Sequence, residues 1–381
     1  MGVKDLNKLI AKYAPAAVRS CALSDFSGKT FALDAYGLLF AYKVVGGSPS
    51  GYLGNMYEFC VKLRRANIDA IAVMDSGQPM PEKHAARAER TKRKISATNR
   101  LAERSEQLTQ LKRAHEKFAP PVAAVPGSAE PLPVPELTPE KQQELEQLVA
   151  EIELQERSVT SVEKQLIAIT PEDVEAMTVL FQAFGFGVAI SQHEGEAGCV
   201  QLCLRGAADY VVSNDTDVFC FGDVRVVQNI TQPGAMRLVD AALIREGMGF
   251  SRLEFIDMCI LCGCDFSAKL EGLASLGAYK AIKEHRSIEM VVSSLPKYRV
   301  PAEGWTPDVA RHVFMSMPCA VQVLESNRDL ARLEQLFRRY EVAKSLSPED
   351  AEQIDRAVAQ RKISFRQPSI SDYFKKPFSQ Q

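Results

Sequence analysis

Three short apolar runs in this chain each stop at aspartates, and no other feature limits the fold as strongly. Thr30–Leu33 runs into Asp34, Ala70–Met74 into Asp75, and Tyr210–Val212 into a turn holding Asp215 and Asp217. Runs of this length and composition read as short buried strands. In open α/β sheets, side chains just beyond the strand ends open onto one shared crevice. Glu194 and Glu196 in HEGEAG, and Asp265 in CGCDF, follow other apolar segments in the same way. Seven carboxylates in one crevice repel one another unless cations neutralise them. Hard divalent cations prefer oxygen ligands, and Mg²⁺ suits a site of carboxylates, waters and a phosphate. Metal-assisted phosphodiester hydrolysis is the chemistry this pattern favours.

The 381 residues, 46% of them hydrophobic, suffice for one large or two modest domains. No apolar run is long enough to span a bilayer, and MGVKDL matches neither a signal peptide nor a myristoylation signal. The nine cysteines sit mostly in apolar stretches, as free thiols in a reducing compartment would. Cys259, Cys262 and Cys264 have the spacing to suggest zinc, but no partner cluster follows them, so core packing is expected. A formal net charge of −2 does not suggest a nucleic-acid binder. Charge is segregated, however. Lys83, Arg87, Arg90, Lys92, Arg93, Lys94, Arg100 and Arg104 crowd one stretch, and acidic residues cluster from Glu136 to Glu175. A local basic stripe supplies phosphate contacts whatever the global sum.

Residues 1–75 read as αβαβ: a helix through Leu6, Leu9, Ile10 and Tyr13, the Asp34 strand, a helix at Tyr52–Arg65, and the Asp75 strand. A basic helix over Glu82–Lys117 runs into AAVPGSAEPLPVPELTP, too proline-rich for helix or central strand. Thr138-Pro139 restarts a helix, with Leu145, Leu148, Val149, Ile152, Val159, Val162 and Leu166 at helical spacing. This predicts a two-helix insertion with a flexible crest. Thr170-Pro-Glu-Asp starts another helix, and Gly187–Ile190 is a strand leading to Glu194. Residues 253–290 read as two helices joined by LEGLASLG, and the chain beyond Ser345 as a polar, loosely ordered tail.

MGVKDLNKLIAKYAP, FALDAYGLLF, AVMDSGQP, EGEAGC, SNDTDVFCFG and FIDMCILCGCDF, in that order, resemble the structure-specific 5′ nucleases of the XPG-like family, and flap endonucleases in particular. The resemblance implies an α/β fold: a central, mostly parallel sheet flanked by helices, with a helical arch insertion and a helix–two-turn–helix element that binds DNA. It implies a 5′ nuclease domain over residues 1–345 (N-region 1–76, arch 77–170, I-region 171–345) and a tail over 346–381. The expected activity is two-metal 5′ flap endonuclease and 5′–3′ exonuclease cleavage of flapped or nicked DNA in replication and repair. A related 5′-exonuclease or bubble/junction nuclease, and a catalytically weak clamp-binding scaffold, are the alternatives.

By the same resemblance, Asp34, Asp75, Glu194 and Glu196 hold one Mg²⁺ and Asp215, Asp217 and Asp265 the second, with Mn²⁺ able to substitute. Lys83 and Arg90 stand where the family carries two catalytic arch cations. Seven apart on one helix, they would lie two turns apart on one face. Phe40 aligns with a base-stacking aromatic, although core packing is an alternative. Gly2 would lie near the DNA junction, and His193 is either a proton shuttle or a turn residue. Gly272-Leu273-Ala274 replaces the family's G-h-G turn, which leaves both phosphate contact at Gly272 and a bound K⁺ open. The loop between Val44 and Tyr52 lacks the acidic stretch that helps form a 3′-flap pocket. In the tail, Gln367, Ile370, Tyr373 and Phe374 match the motif that binds PCNA-type sliding clamps, its apolar trio sharing one face of a single turn. A monomer is expected, with no membrane association. The expected location is nuclear in a eukaryotic host, with an organelle or viral factory as alternatives.

Overall fold

The computed structural model describes residues 2–77, 80–118, 138–315, 321–324, 329–344 and 347–364. The Gln367–Phe374 motif therefore lies outside the described residues. The strands are β1 (Val18–Ser20), β2 (Thr30–Asp34), β3 (Asp69–Asp75) and β4 (Gly187–Ser191), then β5 (Tyr210–Val212), β6 (Arg225–Gln228), β7 (Arg237–Asp240) and β8 (Val321–Leu324). They form one sheet in the order β1-β7-β6-β5-β2-β3-β4-β8. Strands β6, β5, β2, β3 and β4 run parallel. Antiparallel pairing adds β7 to β6, β1 to β7, and β8 to β4.

Alternate residues of each strand enter different cores. Ala32, Ile71, Val73, Val211 and Val226 face one, while Phe31, Leu33, Ala72, Tyr210 and Val227 face the other. Burial on both faces explains why these strands read as unbroken apolar runs rather than as alternating ones.

The helices, numbered along the chain, begin with α1 (Leu6–Tyr13), α2 (Ala35–Gly46), α3 (Pro49–Arg65), α4 (His84–Glu116) and α5 (Pro139–Leu166). Next come α6 (Pro171–Ala183), α7 (Gly195–Leu204), α8 (Val218–Phe221), α9 (Ala241–Met248) and α10 (Arg252–Cys262). The last are α11 (Ser275–His285), α12 (Ile288–Ser294), α13 (Pro307–Met315), α14 (Leu330–Arg339) and α15 (Pro348–Ser364). Helices α1 and α7 to α13 contribute to the first core, and α2, α3, α6, α14 and α15 to the second. No helix among the described residues is long and apolar enough to cross a membrane.

Two compact units result. One takes the chain to Ala85 and resumes at Ile169; the other is Ala86–Ala168. The second unit is an antiparallel pair, α4 against α5. Arg100 donates to Gln165 (3.1 Å), Arg104 to the Ser158 carbonyl (3.2 Å), and Lys112 pairs with Glu156 (2.7 Å). Of the seven apolar positions expected to face inward on α5, only Val162 is fully buried.

Three expectations change. Between β2 and β3 the chain builds two helices, α2 and α3, where one was expected. Lys83 belongs to a 3₁₀ turn, Pro81–Lys83, so it does not share a helix with Arg90 on α4. The turn leads directly into α4 at His84. Residues 347–364 are not a loose tail: α15 packs on α3. The Ser347 hydroxyl accepts from Asp350 N (3.1 Å), Arg65 grips the Asp350 carboxylate with two bonds (2.9 and 3.0 Å), and Ile354 is wholly buried.

Candidate active site

All seven carboxylates lie in the first unit. Asp34 and Asp75 are the last residues of β2 and β3, and Asp215 and Asp217 occupy the turn between β5 and α8. The sheet order reverses direction between β2 and β5, where an open α/β sheet parts to form a crevice. Glu194 precedes the first residue of α7, Glu196 lies in its first turn, and Asp265 follows α10.

Local hydrogen bonds fix the first of these groups. Asp34 accepts from Gly37 N (3.0 Å) and from the Ser213 hydroxyl (2.8 Å). Asp75 accepts from Gly195 N at 2.6 Å. A β-carbon on Gly195 would stand 2.8 Å from that same Asp75 oxygen and would push the carboxylate out of place. Asp215 takes Asp217 N at 3.0 Å and itself donates N–H to Ser213 Oγ at 3.0 Å. Asp217 Oδ1 is buried and has no hydrogen-bond partner among the described residues.

Burial and neighbouring carboxylates push Asp34, Asp75, Glu196 and Asp217 up. Desolvation, then Glu194 and Asp34, raise Asp75 to about 7. Desolvation followed by neighbouring carboxylates raises Glu196 and Asp217 well above the usual range. Asp34 is raised too, by burial, against the pull of Gly37 and Ser213. Among them stands Lys83. Its ammonium pairs with Glu194, lies 3.6 Å from Asp265, and sits 5.0 Å from the Phe266 ring centre. Burial alone would lower Lys83, but Glu194, Asp265 and Glu196 outweigh it and hold the cation charged.

Among the described residues, no three carboxylates close on a common point tightly enough to hold one ion by themselves. The donor set nevertheless fits hard cations held partly through water. It is all oxygen, it carries uncompensated repulsion, and one buried oxygen has no partner.

Other expected residues fall as follows. Phe40 joins neither core; it lines a cleft of about 160 Å³ with Asp34, Leu38, Val212, Asp215 and Ile230, all in the first unit. Core packing is thereby set aside for Phe40. Arg90 is exposed in the second unit, and His193 is half-exposed beside Glu194. Cys259 and Cys262 are buried free thiols of the core. Gly272 has φ +81°, whereas Ala274 at φ −85°, ψ 161° occupies extended backbone that any residue adopts. Losing the second glycine therefore costs no backbone strain. The α2–α3 connection is only Gly47 and Ser48. Ser213, Ser191 and Thr216 were not singled out as site residues in the sequence. The Ser191 hydroxyl donates to the Glu194 carbonyl (2.8 Å), and such hydroxyls look like ordinary turn formers until their partners are known.

Comparison with known proteins adds the decisive match. Residues 1–97 match the XPG N-terminal domain and residues 185–265 the XPG I-region. The chain belongs to the XPG-like family. It is 25% identical to flap endonuclease 1-B of Physcomitrium patens over 332 residues, covering 82% of this chain and 81% of that protein. Flap endonuclease 1-A of Sorghum bicolor is 26% identical over 343 residues, 85% of this chain and 78% of that one. In fold, this XPG-family chain resembles the Rad2 catalytic core in complex with DNA substrate, with a TM-score of 0.58 at 15% identity, covering 94% and 99% of the two chains. Flap endonuclease-1 from Methanococcus jannaschii gives 0.57 at 16% identity, covering 92% and 99%.

Proposed function

We propose that the protein is a Mg²⁺-dependent, structure-specific 5′ flap endonuclease acting on flapped or nicked duplex DNA. The observation that carries the reading is the carboxylate crevice at the β2–β5 switch point, with a charged lysine inside it and an unpartnered aspartate oxygen at its base. Asp34, Asp75, Glu194 and Glu196 would hold one divalent ion, and Asp215, Asp217 and Asp265 the other. Bound there, such ions supply Lewis acidity and an activated water for phosphodiester hydrolysis.

The chain's own groups do the rest. Gly37, Ser213 and Gly195 fix the rotation of Asp34 and Asp75, so these oxygens need no reorganisation as charge develops. Lys83, kept charged by its acidic neighbours, can turn from Glu194 to an incoming phosphate without gaining or losing a proton. Phe40 offers a ring face to a base beside the cleft. Gly272, with no side chain at positive φ, lets a phosphate approach the backbone of the turn before α11. The family membership, the flap endonuclease relatives and this geometry support one activity.

Labelled single-flap, double-flap, nicked and bubble DNAs, incubated with Mg²⁺ or EDTA, test it. Cleavage at the flap base that needs Mg²⁺ and is lost in Asp217→Ala, with flap binding retained or tightened, is the expected result. Turnover by Asp217→Ala would sink the metal assignment. Preference for bubbles or plain ends would favour a junction nuclease or exonuclease, a reading to which the two-residue α2–α3 connection lends some weight.

A further inference from the structure

Four residues at the start of the chain tie together segments that the proposed chemistry needs in register. Gly2 lies against the Asp215–Asp217 turn at φ +82°. A β-carbon there would overlap Asp215 Oδ1 and stand 2.7 Å from Thr216 Oγ1 and 2.8 Å from Asp217 N. Val3 is buried, and its carbonyl accepts from the Thr216 hydroxyl at 3.1 Å. Lys4 N then donates to the Gly263 carbonyl at 3.2 Å, two residues before Asp265. Finally, the Ser275 hydroxyl at the first residue of α11 shares its proton between the Lys4 carbonyl (3.3 Å) and Asp5 Oδ2 (3.1 Å). Asp5 accepts a left-handed backbone, φ 55°, that a non-glycine residue adopts at some cost. Its carboxylate is held there by Ser275 and by Lys8 at 2.7 Å. A strained residue fastened on two sides marks a position that its surroundings over-determine.

We propose that Gly2–Asp5 is a positioning strap that sets the spacing between Asp215/Asp217 and Asp265, with Thr216 and Ser275 as its fasteners. The proposal rests on the nuclease reading above and deepens it. Asp217 and Asp265 come from turns separated by the whole of α8 to α10, and the strap is a direct non-covalent tie between those two turns. Thr216 lies in sequence between the two carboxylates it would steady and donates its hydroxyl to the Val3 carbonyl. Ser275 pins the other end where α11 begins, directly after the Gly272–Ala274 turn. Groups that orient metal ligands from behind typically change metal affinity or activity by about 10–100-fold when removed.

The test uses full-length protein and Mn²⁺ as the probe. Thr216→Val keeps the shape and deletes the donor; Thr216→Ser keeps the donor; Ser275→Ala frees the far end. Direct Mn²⁺ binding without DNA, by paramagnetic resonance, and the metal dependence of single-turnover flap cleavage are measured with melting temperature and flap-DNA affinity in EDTA. Thr216→Val should weaken Mn²⁺ binding and raise the half-saturating metal by about tenfold, while Ser275→Ala does so less. Both should leave DNA affinity in EDTA unchanged, and Thr216→Ser should restore wild-type behaviour. Unchanged Mn²⁺ binding in Thr216→Val overturns the strap. So does an equal loss of cleavage at every metal concentration with a lower melting temperature, which marks mere structural damage. If the wild type cleaves no flap and yet Thr216→Val still weakens Mn²⁺ binding, the nuclease reading falls and the strap stands.

Discussion

Stripped of divalent cations, the protein should lose stability as pH rises across the neutral range, opposite to the behaviour of a protein held by salt-bridged carboxylates. Asp75 carries the effect most plainly, because burial, Glu194 and Asp34 lift it from 3.8 to about 7. A carboxyl whose folded pKa exceeds its unfolded one binds more protons in the native state between those two values. Stability is then full below about pH 4 and falls as pH rises through about 7. At about 1.4 kcal/mol for each pH unit, Asp75 alone contributes a loss of about 4 kcal/mol by pH 8. Asp34, Glu196 and Asp217 shift in the same direction, but the four share one repulsion and their losses do not add. Denaturant unfolding in EDTA from pH 5 to 8 reads the slope, and Ca²⁺ should flatten it by binding only the folded state. Asp75→Asn keeps an acceptor for Gly195 N and removes the charge. In EDTA at pH 8 it should be more stable than wild type by up to about 4 kcal/mol, and near parity at pH 4. A wild-type stability that stays flat or rises between pH 5 and 8 in EDTA would refute the picture of a crevice charged beyond its own compensation.

Lys83→Ala should slow single-turnover cleavage by about 10²-fold or more while changing flap affinity little, since its target is charge that develops in the transition state. Equal losses in rate and affinity would make it a plain phosphate anchor, and the same split applied to Arg90→Ala decides whether that exposed residue acts with it. Arg311 bonds both oxygens of the fully buried Asp257 (2.6 and 2.7 Å) and also Glu289, joining α10, α12 and α13. Arg311→Met strands a buried charge and should cost about 3–5 kcal/mol in denaturant unfolding; a cost below about 1 kcal/mol would mean that water reaches Asp257. A peptide spanning residues 366–376 should bind the host's sliding clamp with about micromolar affinity, lost on replacing Tyr373 and Phe374 by alanine. Slower cleavage of naked DNA by that double variant would instead assign the motif to the nuclease unit.

The strands that deliver carboxylates were legible because burial on both faces leaves continuous apolar runs ending on a charge. Helix α6 was legible from Thr170-Pro-Glu-Asp, where Thr170 and Asp173 cap each other (3.3 and 2.7 Å). Ser347-Pro-Glu-Asp is the same kind of signal, with Asp350 N bonded to the Ser347 hydroxyl, and was passed over. Its helix is largely polar and is held by its buried Ile354 and by the ion pair of Asp350 with Arg65, 285 residues upstream. Helix α2 hid for the opposite reason. AYGLLFAYKVVG is apolar nearly all round, so no period separates it from its surroundings. Strands β1, β7 and β8, at or next to the sheet's edges, are three or four residues long and exist through pairing that no local pattern announces. The spacing of Lys83 and Arg90 assumed one continuous α-helix, whereas Lys83 closes a tighter 3₁₀ turn that leads directly into α4. Within the site, the acids were visible but hydroxyls such as Ser213 and Thr216 were not, since their partners, the Asp34 carboxylate and the Val3 carbonyl, lie far away in the sequence.

The central place of β2 has a consequence for how the chain is made. Phe31 pairs with Tyr210, a partner 179 residues later, and the whole second unit is synthesised in between. At translation rates of about 5–20 residues per second, β2 waits some 10–40 s with one edge unpaired. During that interval Phe31 and Leu33, wholly buried in the finished protein, lack part of their cover, and the edge is open to pairing with other nascent chains. Production of this protein in a foreign host should therefore depend on holdase chaperones and on slow synthesis at low temperature more steeply than its final stability would suggest.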